Sequence, residues 1–164
     1  MSRSTWILIF IAIFFGIIFW SLASEDITSQ APYYIKTATL QTTKVEINGI
    51  KVEAEVAKSE KARNRGLSGR VFLPENRGMI FVFDQSGIYT ITMRDMKFSI
   101  DIIWIKDNKV VDLTSKAQIP SVNVNIVQEY SSKFEVNYIL EVNEEFISKN
   151  NIRIGDDVKT GLSN

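Results

Sequence analysis

Few residues in this chain can do chemistry. It contains no histidine and no cysteine. Imidazole bases, Ser-His-Asp triads, thiolate nucleophiles, disulfides and most zinc sites are therefore excluded. Acid–base work would fall to carboxylates, Lys, Tyr or Ser. Asp101 stands out among the carboxylates, because it lies between Ile100 and the run Ile102-Ile103-Trp104. Such neighbours bury one side of it, and a buried carboxylate is costly unless a charge or several donors meet it. Arg63, Arg70 and Arg94 are its candidate partners. One reading is an Asp–Arg pair that fixes strand against helix. The other is a ligand pocket lined by Arg94, Asp95 and Asp101. There Arg94 would offer a fixed positive charge to a carboxylate or phosphate, and Asp95 would select against a second acid.

Glu141 sits inside Ile139-Leu140-Glu141-Val142. It is either solvent-facing, part of a structural polar core with Arg63 and Arg70, or a second carboxylate facing Asp101, as glycoside cleavage requires. Met79, Met93 and Met96 suit core packing better than a soft-metal site. Gly155-Asp156-Asp157 offers too few oxygens for a calcium loop. No metal and no cofactor is expected. Lys plus Arg and Asp plus Glu each total 19, and this neutrality argues against a nucleic-acid partner.

The elements that must hold these side chains read as mainly β. Val45 to Val56 alternates on both sides of Asn48-Gly49, the favoured two-residue hairpin turn. Ser59 offers an N-cap, Glu60 to Arg65 a two-turn helix, and Gly66 its stop. Met79 to Phe83 is a strand apolar on both faces. Further strands are expected at Ile88–Met93, Phe98–Ile105, Val110–Leu113 and Phe134–Val142, with an edge run at Val122–Val127. Asn143 would cap a short helix over Glu144–Lys149, and Gly155–Val158 would close the domain. Loops are expected at Asp84–Gly87, Thr92–Lys97 and Thr114–Asn125, the last a flap over any cleft. The fold class is thus a compact β-sandwich or barrel-like domain with one or two short helices.

A single transmembrane helix is expected before it. Trp6 to Trp20 carries no charge, and with Leu22 and Ala23 it reaches the roughly 17–25 residues that span a bilayer. The two Trp residues suit the interfaces. Arg3 lies before the stretch, with Glu25 and Asp26 after it, so the chain beyond falls outside the cytoplasm. The other reading is cleavage at Ser21-Leu22-Ala23, giving a secreted or periplasmic domain. The expected organisation is an anchor or signal peptide over 1–23, a polar linker over 24–43 and a β-rich domain over 44–160.

Residues 44–160 resemble the domain of unknown function 192 family of bacteria and archaea. The resemblance rests on Arg63, Gly66-Leu67 and Arg70, then Gly78-Met79, Phe81 and Phe83. It continues through Thr92-Met93-Arg94-Asp95, Asp101-Ile102-Ile103-Trp104 and Pro120, and ends on Tyr138 to Asn143 and Gly155-Asp156-x-Val158. This chain departs from the family pattern at Ala62 (often Glu), Ser68 (Met), Thr92 (Trp), Asp95 (Asn), Ser99 (Pro) and Glu145 (Gly). The resemblance implies a compact β-rich fold and brings no activity with it. The expected function is a membrane-tethered, extracytoplasmic binding or accessory module. It would contact the membrane through residues 6–23 and an unknown small molecule or envelope protein through the domain. The alternative is a carboxylate-dependent enzyme acting on envelope glycans or peptides.

Overall fold

The computed structural model describes residues 40–120 and 127–162. The expected anchor, nearly all of the linker and most of the Val122–Val127 run lie outside them. No helix among the described residues is long and apolar enough to cross a membrane.

The domain is mainly β, with a curled sheet forming a half-barrel and two short helices. Strands β1 (Thr42–Ile47) and β2 (Ile50–Ala57) form the expected hairpin. Both turn residues are left-handed, with φ 49° at Asn48 and 83° at Gly49, the requirement that makes Asn-Gly the favoured pair. Helix α1 (Glu60–Arg65) starts where Ser59 Oγ accepts from Ala62 N, and it stops at Gly66. It carries the chain back so that β3 (Arg77–Gly87) runs parallel to β2, as a crossover connection allows. Gly78 of β3 is packed so closely that a Cβ would stand 2.7 Å from the Glu141 carbonyl oxygen.

β4 (Thr90–Thr92) pairs with β7 (Glu129–Ser131) in a separate two-stranded sheet. β5 (Ile100–Lys106), β6 (Lys109–Ala117), β8 (Val136–Asn143) and the short β9 (Val158–Lys159) complete the main sheet, in the order β6-β5-β8-β3-β2-β1-β9. Helix α2 (Phe146–Lys149) follows β8. Residues 155–158 bring the sheet's two edges together. Val158 pairs with Ile47 of β1 while its N–H donates to Asn108, and Asp157 bridges Lys109 of β6.

Three of the differences from the expected boundaries bear on the site. Asp84–Gly87 is not a turn: β3 runs through it, with a register shift against β8 between Val82 and Gly87. A bulge absorbs the polar residues without ending the strand. β6 continues to Ala117, so the loop expected from Thr114 begins after strand residues. Asn143 does not cap α2. Glu145 holds the N-cap position, and the Asn143 amide donates to the carbonyls of Leu73 and Pro74.

Both faces of the sheet are covered. One buries Met79, Phe81, Ile102, Trp104 and Ile139 beneath Leu67, Leu73, Met93 and Met96. The other buries Ile47, Ile80, Ile103, Leu140 and Val142 with Ile147 and Ile152. Strand alternation makes this division, since successive side chains point to opposite faces.

Candidate functional site

Asp101 is 1% exposed. It pairs across the sheet with Val142, so it shares the face of Ile103 and Leu140. Its two oxygens are met by backbone. Oδ1 accepts from Lys116 N at 2.8 Å, and Oδ2 accepts from Ile147 N at 2.9 Å. The Asp–Arg pair expected from the sequence is replaced by these donors, and no ion pair involves Asp101 among the described residues. The carboxylate supplies the cap that α2 lacks locally, because Glu145 makes no side-chain capping bond. The residues next to these contacts are unusual. Lys116 (φ 54°) and Glu145 (φ 68°) both adopt the left-handed conformation, which costs about 1–2 kcal/mol for a residue with a Cβ. One buried carboxylate anchors both segments.

Glu141 lies on the opposite face. It pairs with Met79 on one side and Ile102 on the other, within the face that holds Phe81 and Trp104. Glu55 pairs with Met79 from β2, so Glu55, Met79, Glu141 and Ile102 form one row across four strands. Over this row Arg70 grips Glu55 in a bidentate pair, Nη1–Oε1 at 2.5 Å and Nη2–Oε2 at 2.8 Å. The Arg70 bond holds the Glu55 carboxyl below its ordinary range, and Glu55 in turn raises Arg70. Glu141 is 4% exposed and makes no side-chain hydrogen bond among the described residues. Loss of hydration pushes its pKa up to about 8, opposed by the charge of Arg70. Glu141 is therefore a neutral acid at pH 7, beside an Arg already occupied by another carboxylate.

Arg63 works within the framework. Its guanidinium donates to the carbonyls of Lys58 and Val82 and lies 5.1 Å from the Phe83 ring centroid, while Phe83 stacks on Tyr89. Arg63 thus ties the start of α1 to β3, apart from the Arg70–Glu55 pair. Arg94 and Asp95 are exposed on the turn that follows β4. Their backbone docks on the loop after α1: Ser68 Oγ donates to the Arg94 carbonyl at 2.9 Å, and Gly69 N donates to the Asp95 carbonyl at 3.0 Å. Asp95 has φ 58°, which fits the Asn usual at this place in the resembled family, since Asn enters that region readily.

The structure brings Arg70 near Glu141 and joins the Arg94–Asp95 turn to Ser68–Gly69. It does not gather Arg94, Asp95 and Asp101, because Asp101 is buried on the other side of the sheet with both oxygens occupied. Glu55 was missed by the sequence reading. Its signal was alternation, which puts it on the same face as Ala57, but nothing in the sequence marks Arg70 as its partner. No group of three or more acidic residues that could hold a metal occurs among the described residues. A shallow open cleft of about 550 Å³ lies elsewhere, between Val110, Val111, Phe134 and Ile154. Lys106 and Lys109 line it, but each is already ion-paired, with Glu135 and Asp157.

Comparison with solved structures finds the same fold. A protein from Sinorhizobium meliloti 1021, described as a "putative transcription regulator", is 21% identical, with a TM-score of 0.67 over 76% of this chain and 98% of that one. A protein of unknown function from Novosphingobium aromaticivorans DSM 12444 is 23% identical, with a TM-score of 0.69 over 76% of this chain and 89% of that one. Comparison with curated proteins finds no match. The model of the domain of unknown function 192 family, described as "Uncharacterized ACR", matches residues 43–160. The motifs from Arg63 to Val158, the half-barrel they build and this match agree: the chain belongs to the domain of unknown function 192 family.

Proposed function

We propose that the protein is a membrane-tethered, extracytoplasmic binding or accessory module rather than an enzyme. The observation that carries the non-catalytic half is the placement of the two buried carboxylates. Asp101 and Glu141 lie on opposite faces of one sheet, and both oxygens of Asp101 are held by backbone donors. Hydrolysis by paired carboxylates requires both to face one substrate, with the carboxyls within about 10 Å across an open cleft. The enzyme reading for envelope glycans or peptides draws no comparable support. The tether rests on the uncharged stretch from Trp6 to Trp20 and on the charges that flank it.

Cell fractionation of the full-length protein, with protease added from outside, tests this reading. The protein is expected in the membrane fraction, with its domain digested in intact spheroplasts. A protected domain, or full-length protein in the soluble fraction, contradicts it. Release of sugars or peptides from purified envelope material by the protein contradicts the non-catalytic half.

A further inference from the structure

We propose that the surface built from α1, the loop after it and the turn after β4 docks on anionic phospholipid headgroups. The chain is neutral overall, but its charge is unevenly placed. Lys58, Lys61, Arg65, Arg94 and Lys97 are all exposed, and none enters an ion pair among the described residues. The exposed carboxylates in α1, the loop after it and the turn after β4 are Glu60, Glu75 and Asp95. Elsewhere Lys106, Lys109, Lys149 and Lys159 are each held by an acidic neighbour, and the remaining exposed cations, Lys44, Lys51, Lys116, Lys133 and Arg153, are spread over separate elements.

The five cations sit on contiguous structure. Lys61 and Arg65 are one helical turn apart and share a face. The Ser68–Arg94 and Gly69–Asp95 hydrogen bonds fasten the second segment against the first. Directly after Arg70 the loop presents Val71 and Phe72, 77% and 66% exposed. Isolated exposed apolar residues are ordinary, but an adjacent aliphatic–aromatic pair on a loop flanked by free cations has the composition of a membrane-interface contact. The cations meet headgroup phosphates, and the apolar tips enter the acyl boundary. This pair also favours lipid over a soluble polyanion, which gives Phe72 nothing apolar to enter. The proposal extends the tethered-module reading, in which the domain belongs to a membrane protein, but the contact does not need the span.

The test is therefore made without the anchor. Residues 40–164 form a compact unit of their own, and the Sinorhizobium protein, 98% covered by the match, folds as little more than this domain. Co-sedimentation is measured with phosphatidylcholine vesicles, with and without phosphatidylglycerol. Binding is expected only with phosphatidylglycerol and is expected to fall with added salt. Lys61→Glu with Arg65→Glu should weaken it about tenfold or more, at roughly 1 kcal/mol per basic residue near the surface. Phe72→Ser should weaken it with thermal stability unchanged. Lys51→Glu, at the far end of β2 and roughly 20 Å away, should leave it unaltered. Equal binding to both vesicle types, no binding to either, or binding indifferent to the Lys61/Arg65 and Phe72 changes would overturn the proposal. So would tighter binding to polyglutamate or duplex DNA than to vesicles, which would assign the surface to that polyanion. Failure of the fractionation experiment leaves this test intact, because no anchor is present in it.

Discussion

The carboxylate of Asp101 on β5 accepts the backbone N–H of Ile147 at 2.9 Å, across 46 residues of sequence. A strand side chain thus caps a helix that has no capping bond of its own. With its other oxygen on Lys116 N, Asp101 joins β6, β5 and α2 at one buried point. This gives Asp101 an architectural role and accounts for its place among four apolar residues.

The left-handed Glu145 is the cost of that arrangement. Gly carries little penalty at such a φ, whereas residues with a Cβ do. Glu145→Gly is expected to stabilise the domain by about 0.5–1 kcal/mol, read as a higher urea midpoint at unchanged slope. The ion pair with Lys149 that the change removes is exposed on both sides and contributes little. A lower midpoint would show that Glu145 does more than fill the turn.

Glu141 should leave a pH signature. Its folded pKa, about 8, stands above the ordinary carboxyl value of 4.5. Between those values the folded state binds the extra proton, so stability falls as pH rises from about 4.5 to about 8 and levels above that. Glu141→Gln should flatten this slope and stabilise the domain at pH 7 by on the order of 2 kcal/mol. Denaturation curves at several pH values check it. Glu55 acts in the opposite sense: its lowered pKa adds stability that is present above its unfolded value and is lost as pH falls through the folded one.

The Arg70–Glu55 pair should act on the loop more than on the whole domain. Its side chains are 34% and 23% exposed, so solvent screening limits its contribution to roughly 1 kcal/mol. Arg70→Met is expected to lower global stability by no more than that. Amide exchange at Gly69 and Arg70 should rise clearly, because the loop loses its grip on β2. Unchanged exchange at those amides would show that Leu67 and Leu73 hold the loop unaided.

Where one residue type decided the local backbone, the sequence was readable. Asn48-Gly49 announced the hairpin, Ser59 and Gly66 bounded α1, the alternation of Met79 to Phe83 located one central strand, and the apolar run within Phe134 to Val142 located another. Reading failed where an element's fate depended on distant partners. Asp84 to Gly87 has turn composition, yet pairing with Val136 keeps it in a strand. The donors to Asp101 are backbone N–H groups, which every residue but proline carries and no side chain advertises, so an Arg was the natural but mistaken expectation. The pocket of Arg94, Asp95 and Asp101 failed for a related reason. Strand alternation puts Asp101 on the face of Ile103, opposite Ile100 and Ile102, whereas Arg94 and Asp95 stand on a separate turn, so proximity in sequence did not bring the three together.

The claim that the buried carboxylate belongs to the fold rather than to a reaction is tested most directly by equilibrium urea unfolding of Asp101→Ala. The variant leaves the buried Ile147 N–H and the part-buried Lys116 N–H without their acceptor, and the expected loss is about 2–4 kcal/mol. Asp101→Asn, which keeps one carbonyl acceptor, should recover part of it. An Asp101→Ala domain that unfolds at the wild-type midpoint would contradict the account and return Asp101 to the candidates for a binding or catalytic role.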